Sequence, residues 1–139
     1  MKGLVKMGKL SDRLYYDFKL NQLGYDFMGY YFDNRRELSY HHIKPTHSGG
    51  ETTYDNGALL VRSTSHNYIH TIEEYDYKMF LMVTKLLIEE KYMGKVDTDI
   101  LREIDSILNC FESKYNGIYT KKGQPLVREE FTRRRKYDI

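Results

Sequence analysis

The chain is poor in the residues that cross-link or anchor a protein. It contains one cysteine, Cys110, and no CxxC pair, which excludes an internal disulfide, a zinc ribbon and a dithiol redox motif. The sequence also has no long apolar run and no charged-then-apolar leader, which argues against a membrane span or a secretory signal. We therefore expect a cytoplasmic protein that folds without covalent cross-links.

The length of 139 residues is that of one ordinary domain with a single hydrophobic core. The net charge of +2 is small, but residues 113–139 hold eight Lys or Arg against three acidic residues. This segment ends in a basic run that includes Arg133, Arg134 and Arg135. Such a run suits the phosphate backbone of a nucleic acid, because cationic side chains release condensed counterions there. A solvated helix end is the other interpretation.

The N-terminal part is predicted to form a helix followed by a β-hairpin. Ser11 can cap a helix that Gly24 ends. The aromatic segments 29–32 (GYYF) and 37–43 (ELSYHHI) flank the polar sequence DNRR, which predicts a hairpin. Residues 44–54 contain a proline and a glycine pair, so we expect a loop there, of the kind that carries function.

The second half of the chain is predicted to be helical. After the apolar run NGALLV, Ser63 or Ser65 can cap a helix whose apolar residues recur at helical spacing to about Tyr92. Asp97 can cap a second helix that ends at Asn116–Gly117, and the two helices should pack as a hairpin. Residues 121–124 are then predicted as a mobile linker, with a proline opening the short helix VREEFTRRRK.

All five histidines lie between residues 40 and 70. His66 and His70 are four residues apart, which places both imidazoles on one face of a helix, where they can share a metal ion. His41 and His42 are neighbours on a predicted strand, so they face opposite ways and suit two different tasks. One can bind a metal while the other, still neutral, acts as a general base.

The window resembles the motif of the HNH nucleases in its ββα-metal form. The segments that carry the resemblance are HHIKP, the glycine pair, TTYDNGALL and SHNYIH. The resemblance implies that His41 and His66 bind a metal and that His42 is the general base. It further implies that Asn56 orients the base through the loop. His70 is similar to the extra histidine of the nuclease colicins, where a third imidazole completes the site, or it touches phosphate.

The resemblance implies an α+β fold, a ββα-metal (HNH) motif embedded in a mostly helical small domain. Residues 37–70 would be the nuclease core, after an N-terminal helix and first hairpin strand in residues 1–36. Residues 71–117 would form a supporting helical hairpin, and residues 118–139 a basic tail. His47 matches nothing in the motif, and we expect it to be an exposed loop residue. The chain lacks the cysteine pairs that bind a structural zinc in many members of the family.

The implied activity is metal-dependent hydrolysis of phosphodiester bonds, with nucleic acid, most readily DNA, as partner. One divalent ion, Zn²⁺, Ni²⁺, Mn²⁺ or Mg²⁺, would stabilise the developing charge. A homodimer would explain cutting of both strands. The small size of the chain and its composition, rich in Tyr and Lys, are similar to those of phage nucleases. A non-cleaving nucleic-acid-binding module and a structural zinc site are the alternatives. The nearby cations that could steady the phosphate are Arg35, Arg36, Lys44 and Arg62.

Overall fold

The computed structural model describes residues 10, 12–16 and 24–132. Residues 12–16 are helical, as predicted, but the cap predicted at Ser11 lies outside the described part. The predicted phosphate contacts at Arg133, Arg134 and Arg135 also fall on residues that are not described. The described residues form a small α+β domain, in which one pair of antiparallel strands is combined with several helices.

The two strands are β1 (Leu38–His42) and β2 (Gly57–Val61). They pair antiparallel, with Leu38 opposite Val61 and His41 opposite Ala58. The hairpin predicted between residues 29–32 and 37–43 is therefore wrong. The true partner of β1 is the apolar run that follows the loop, and each of its five residues is buried.

The physical reason for this correction lies in the sequence DNRR. The Asn34 side chain accepts a hydrogen bond from the Arg36 N–H at 2.8 Å, and the Glu37 carboxylate accepts one from the Asn34 N–H at 2.8 Å. These reciprocal bonds form a capping box, which starts a helical turn rather than reversing a strand. A 3₁₀ turn accordingly spans Arg35–Glu37, and residues 29–32 contribute only an isolated bridge between Tyr31 and Tyr25.

A π-helical turn, Arg62–His66, connects β2 to the first long helical region. The predicted cap at Ser63 or Ser65 is wrong, because the helical turn already begins at Arg62, so both serines lie inside it, and no side chain caps its start. The Ser65 hydroxyl is buried and bonds elsewhere. It accepts a hydrogen bond from the Val61 N–H at 3.0 Å and donates to the Asp26 carboxylate. Single π turns occur often at functional sites, and this one ends at His66.

The helices that follow are α1 (Asn67–Tyr75), α2 (Tyr77–Met93) and α3 (Thr98–Tyr115). The prediction of one helix to about Tyr92 is wrong, since the chain breaks at Asp76 with φ −149° and ψ 79°. The Asp76 carboxylate caps α2 by accepting from the Met79 N–H at 3.2 Å. It also accepts from the Tyr115 hydroxyl at 2.9 Å, so the break ties the start of α2 to the end of α3.

The predicted start and end of the last long helix are confirmed. The Asp97 carboxylate accepts from the Ile100 N–H at 3.0 Å, and the helix ends before Asn116. Helix α2 contacts both α1 and α3, so the predicted helical pair is present. Residues 121–124 form a hydrogen-bonded turn, and Pro125 bridges to Tyr119 instead of opening a helix. The short helix α4 spans Glu129–Thr132, and the rest of its predicted length is not described.

The core joins the strand pair to the helices around Tyr68 of α1. The Tyr68 ring stacks on Phe131 with 4.5 Å between ring centroids, and its hydroxyl donates to Glu112 at 2.8 Å. Within the described ranges, none of the helices combines the length and apolar character needed to cross a bilayer. The buried aliphatic side chains of this core include Ile43, Leu60, Ile69, Ile72, Leu87 and Leu101.

Candidate metal centre

Three imidazoles meet where β1 faces the start of α1. His41 comes from β1, His66 from the last position of the π turn, and His70 from the first turn of α1. One nitrogen from each ring lies within 4.8 Å of the others. Because the spacing of four residues persists across the junction of the π turn and α1, His66 and His70 stay on one face. These three histidines therefore lie close enough to hold a metal ion, as predicted.

The rings are arranged as a closed cluster rather than a stack. The centroids of His41 and His66 are 5.2 Å apart, those of His41 and His70 5.5 Å, and those of His66 and His70 4.9 Å. They line a cavity of about 130 Å³ together with His42, His47 and Glu73. The cavity gives a small ligand access to imidazoles from three different elements.

The local environment keeps the imidazoles of His41 and His66 neutral. Burial is the main cause that lowers the pKa of His41 to about 3, and the neighbouring histidines act in the same direction. Burial is also the main cause that lowers the pKa of His66 to about 4, with His70 and Arg62 next. Neutral imidazole is the form that binds a metal, so both side chains are in the ligating state at ordinary pH.

The hydrogen bonds of the rings fit a metal ion. His66 Nδ1 lies 2.5 Å from the Ser39 hydroxyl, and His70 Nδ1 lies 3.2 Å from the Glu73 carboxylate. Each contact occupies Nδ1 and leaves Nε2 for an ion, which is the usual arrangement around histidine ligands. His41 is 1% exposed, and neither of its ring nitrogens has a hydrogen-bond partner among the described residues. Because an unpaired buried polar atom is costly, coordination gives His41 a physical role.

His42 lies beside this cluster at the end of β1 and lines the same cavity. Its ring packs against Tyr40 with 4.7 Å between centroids, and its Nε2 is 2.8 Å from the Thr52 hydroxyl. The ring is only partly buried. The neighbouring histidines of β1 thus differ as the alternation of a strand predicts, with His41 inside the cluster and His42 at the edge of the cavity.

Asn56 stabilises, by hydrogen bonds, the loop that carries Thr52, the hydrogen-bond partner of His42. Its side-chain oxygen accepts from the Lys44 N–H at 2.8 Å, and its amide donates to the carbonyls of Lys44 at 3.0 Å and Glu51 at 2.8 Å. These bonds close the loop two residues after His42 and one residue before Thr52. Gly50 is required inside this closure, because a Cβ there would lie 1.8 Å from the Lys44 carbonyl oxygen.

The predicted phosphate-binding cations in the described part of the chain do not line the cavity. Arg62 donates to the carbonyls of Arg36 at 3.2 Å and Leu38 at 3.3 Å, and Arg35 pairs with Asp12. The side chain of Lys44 is exposed on the loop. Among the described residues that line the cavity there is no Lys or Arg. Contacts of Arg35, Arg36, Lys44 and Arg62 with a substrate therefore remain predictions.

Two polar residues of the centre were not predicted from the sequence, Ser39 and Glu73. Ser39 is two residues before His41 on β1 and so shares its face, while Glu73 is three residues after His70 on α1. Both spacings were visible in the sequence, but only the fold shows that these side chains reach ring nitrogens. His47, predicted as an exposed loop residue, is exposed and also contacts Glu73 at 2.9 Å.

Comparisons of the chain with protein-family models, with curated proteins and with solved structures give no match. The interpretation of the site therefore depends on its own geometry and chemistry. That geometry defines a three-histidine centre able to hold a metal ion, with a fourth histidine at the edge of the cavity.

Proposed function

We propose that the chain is a metal-dependent endonuclease of the HNH type that hydrolyses phosphodiester bonds in DNA. The observation that carries the proposal is the cavity in which His41, His66 and His70 converge and which His42 also lines. A metal site and a separate imidazole that can act as a base are the two parts that single-metal phosphodiester hydrolysis needs. The order of the motif residues along the chain adds support.

A divalent ion bound here supplies electrostatic stabilisation of the charge that develops on the phosphate. His41, His66 and His70 would hold it through ring nitrogens. Three imidazoles favour Zn²⁺, Ni²⁺ or Co²⁺ over Mg²⁺, which prefers oxygen ligands and water. Mn²⁺ and Mg²⁺ would use water for their remaining positions.

His42 is the proposed general base. It would take a proton from the water that attacks phosphorus in line with the leaving oxygen, while the Thr52 hydroxyl holds its ring. Asn56 would act indirectly, because its bonds to Lys44 and Glu51 fix the loop on both sides of the contact between His42 and Thr52. The proposed role of Asn56 is therefore to keep the base aimed at the cavity.

The test is cleavage of supercoiled plasmid by metal-stripped protein after return of one ion at a time. We expect nicked or linear product that requires metal and disappears in His42→Ala. Zinc affinity should stay near the wild-type value in His42→Ala but fall sharply in His66→Ala. Equal loss of zinc binding in both variants would refute the division between base and ligand. Metal binding without cleavage of plasmid, branched DNA or RNA would favour a non-cleaving nucleic-acid-binding module.

A further inference from the structure

Glu73 contacts two histidines with its two carboxylate oxygens. Its Oε1 lies 3.2 Å from His70 Nδ1, and its Oε2 lies 2.9 Å from His47 Nε2. The Glu73 side chain is 20% exposed, against 55% for His70 and 62% for His47. The carboxylate is therefore shielded while the two rings it contacts are more open to solvent.

The contact with His70 decides which nitrogen that residue can offer. A carboxylate accepts hydrogen bonds, so the proton of a neutral His70 ring belongs on Nδ1, and the lone pair is on Nε2. Ser39 occupies the same nitrogen of His66. His70 is the most exposed of the three candidate ligands, and without a partner its ring would be free to rotate. Glu73 thus fixes the orientation of the His70 ring, whereas burial fixes that of the His41 ring.

The contact with His47 links the loop to helix α1. His47 belongs to the 3₁₀ turn Thr46–Ser48, and Glu73 belongs to α1. Because the second oxygen of Glu73 is held by His47, the carboxylate is not free to turn away from His70. Both residues line the cavity of the three histidines, so the loop and the ligand-bearing helix meet at this carboxylate.

We propose that Glu73 is the positioning residue of the metal centre, which holds His70 with Nε2 toward the ion and is itself held by His47. The inference rests on the proposed metal site and deepens it. It does not depend on whether the bound metal cleaves DNA. Carboxylates that orient histidine ligands typically change metal affinity 10- to 100-fold when removed.

The test is zinc affinity of the metal-stripped full chain, measured by competition with a chromophoric chelator. We expect Glu73→Ala to weaken zinc binding about 10- to 100-fold. Glu73→Gln should weaken it less, because the amide oxygen can still accept from His70 Nδ1. His47→Ala should have a smaller effect than Glu73→Ala. Glu74→Ala is the matched control, since Glu74 is the exposed neighbour on the same helix, and it should bind zinc like the wild type.

A double-mutant cycle separates positioning from the other roles of a carboxylate. If Glu73 acts through His70, Glu73→Ala should add almost nothing to the loss caused by His70→Ala. The visible absorption of bound Co²⁺ should change in Glu73→Ala but not in Glu74→Ala, because the ligand geometry changes. Additive losses would mean that Glu73 binds the ion or acts by its charge, which would overturn the inference.

Three further outcomes distinguish the possible failures. Wild-type zinc affinity in Glu73→Ala would overturn the positioning role and leave the three-histidine site intact. Absence of zinc binding in the wild type would overturn the proposed metal site, and this inference with it. Zinc binding that depends on Glu73, in a protein that cuts no nucleic acid, would support the inference while the proposed nuclease activity failed.

Discussion

Asp26, which bonds to β2, and His41, which belongs to β1, are both buried polar side chains, and they differ in their hydrogen bonds. Asp26 accepts from the backbone N–H groups of Met28, Tyr30 and Val61 at 2.8, 3.0 and 2.9 Å, and from the Ser65 hydroxyl. His41 has no such partner for either ring nitrogen within the described part of the chain. Of two equally buried polar groups, one therefore has its hydrogen-bonding capacity filled and the other has no hydrogen-bond partner among the described residues.

The difference shows how a structural polar group can be told from a ligand. Asp26 joins the segment before β1 to β2 and the π turn, and its acceptor capacity is used in doing so. His41 joins nothing by hydrogen bonds, but its ring converges with two others on one cavity. A buried polar group that is satisfied specifies the fold. One that is unsatisfied and surrounded by further ligand atoms indicates an ion site.

The largest effect on stability is expected from removing Asp26, the buried side chain that has hydrogen-bond partners. Asp26→Ala would remove the carboxylate acceptor of the buried N–H groups of Met28 and Tyr30 and one of the two acceptors of the Val61 N–H. We therefore expect a loss of at least about 3 kcal/mol in the free energy of unfolding. Denaturant titration measures this loss. Asp55→Ala, on an exposed loop residue, is the control and should stay within about 0.5 kcal/mol of the wild type. A small loss of stability in Asp26→Ala would contradict the structural role of Asp26.

For His41, whose ring nitrogens have no hydrogen-bond partner among the described residues, we expect no loss of stability in the metal-free protein. His41→Leu removes two unpaired buried nitrogens, so the metal-free variant should be as stable as the wild type or more stable. Zinc at about 100 times its Kd should stabilise the wild type by about 2.7 kcal/mol and the variant far less. Thermal unfolding with and without zinc measures both quantities. Severe destabilisation of metal-free His41→Leu would make His41 a structural residue like Asp26.

A smaller effect is expected at the hydroxyl that orients His66. Ser39→Ala removes the contact of 2.5 Å to Nδ1, and we expect zinc affinity to fall about 10-fold with little change in folding stability. Ser63→Ala in the exposed part of the π turn should leave zinc affinity unchanged. Equal zinc affinities in Ser39→Ala and Ser63→Ala would show that the ring of His66 needs no such partner.

The smallest effect concerns Glu90, which lies between the two cases. One of its oxygens accepts from the Asp97 N–H at 3.2 Å, while the other has no partner among the described residues. Burial raises the pKa of Glu90 from 4.5 to about 10. Since the folded state then holds one proton more than the unfolded state between these values, stability is full below about pH 4.5 and falls as pH rises toward about 10.

Glu90→Gln should remove this dependence. One extra proton corresponds to about 1.4 kcal/mol per pH unit in the ideal case, and relaxation of the ionised side chain toward water reduces it. We expect the wild type to lose about 1 kcal/mol more than the variant between pH 5 and pH 8. Urea unfolding at the two pH values measures the difference. Parallel curves for the two proteins would show that Glu90 is not buried with its proton.

Elements with local signals were predictable from the sequence. Asp97 before an apolar helical pattern, and Asn116 after it, bound α3 as expected. The apolar run 57–61 was recognised, but its partner was not. Antiparallel pairing across residues 43–56 leaves no short-range signal, whereas DNRR looked like a turn. The break at Asp76 was hidden because apolar spacing continues through it, although an Asp three residues before Met79 is itself a cap pattern.

The site was predictable to the level of its ligands. The spacing of His66 and His70 predicted that both rings can share one ion, and the resemblance to the HNH motif selected His41 rather than His42 as the candidate ligand from β1. These three histidines lie close enough to hold a metal ion. The orienting contacts of Ser39 and Glu73 were not, because a hydrogen bond between side chains depends on how β1, the loop and α1 approach each other. The roles of the exposed cations depend on where a substrate lies, which neither sequence pattern nor fold specifies.

The most direct test of the account is a calorimetric titration of zinc into the metal-stripped protein, His42→Ala and His66→Ala side by side. We expect one zinc per chain in the wild type, unchanged affinity in His42→Ala, and an affinity at least about 10-fold weaker in His66→Ala. Lack of zinc binding by the wild type, or equal weakening in the two variants, would contradict the proposed division between metal ligand and base.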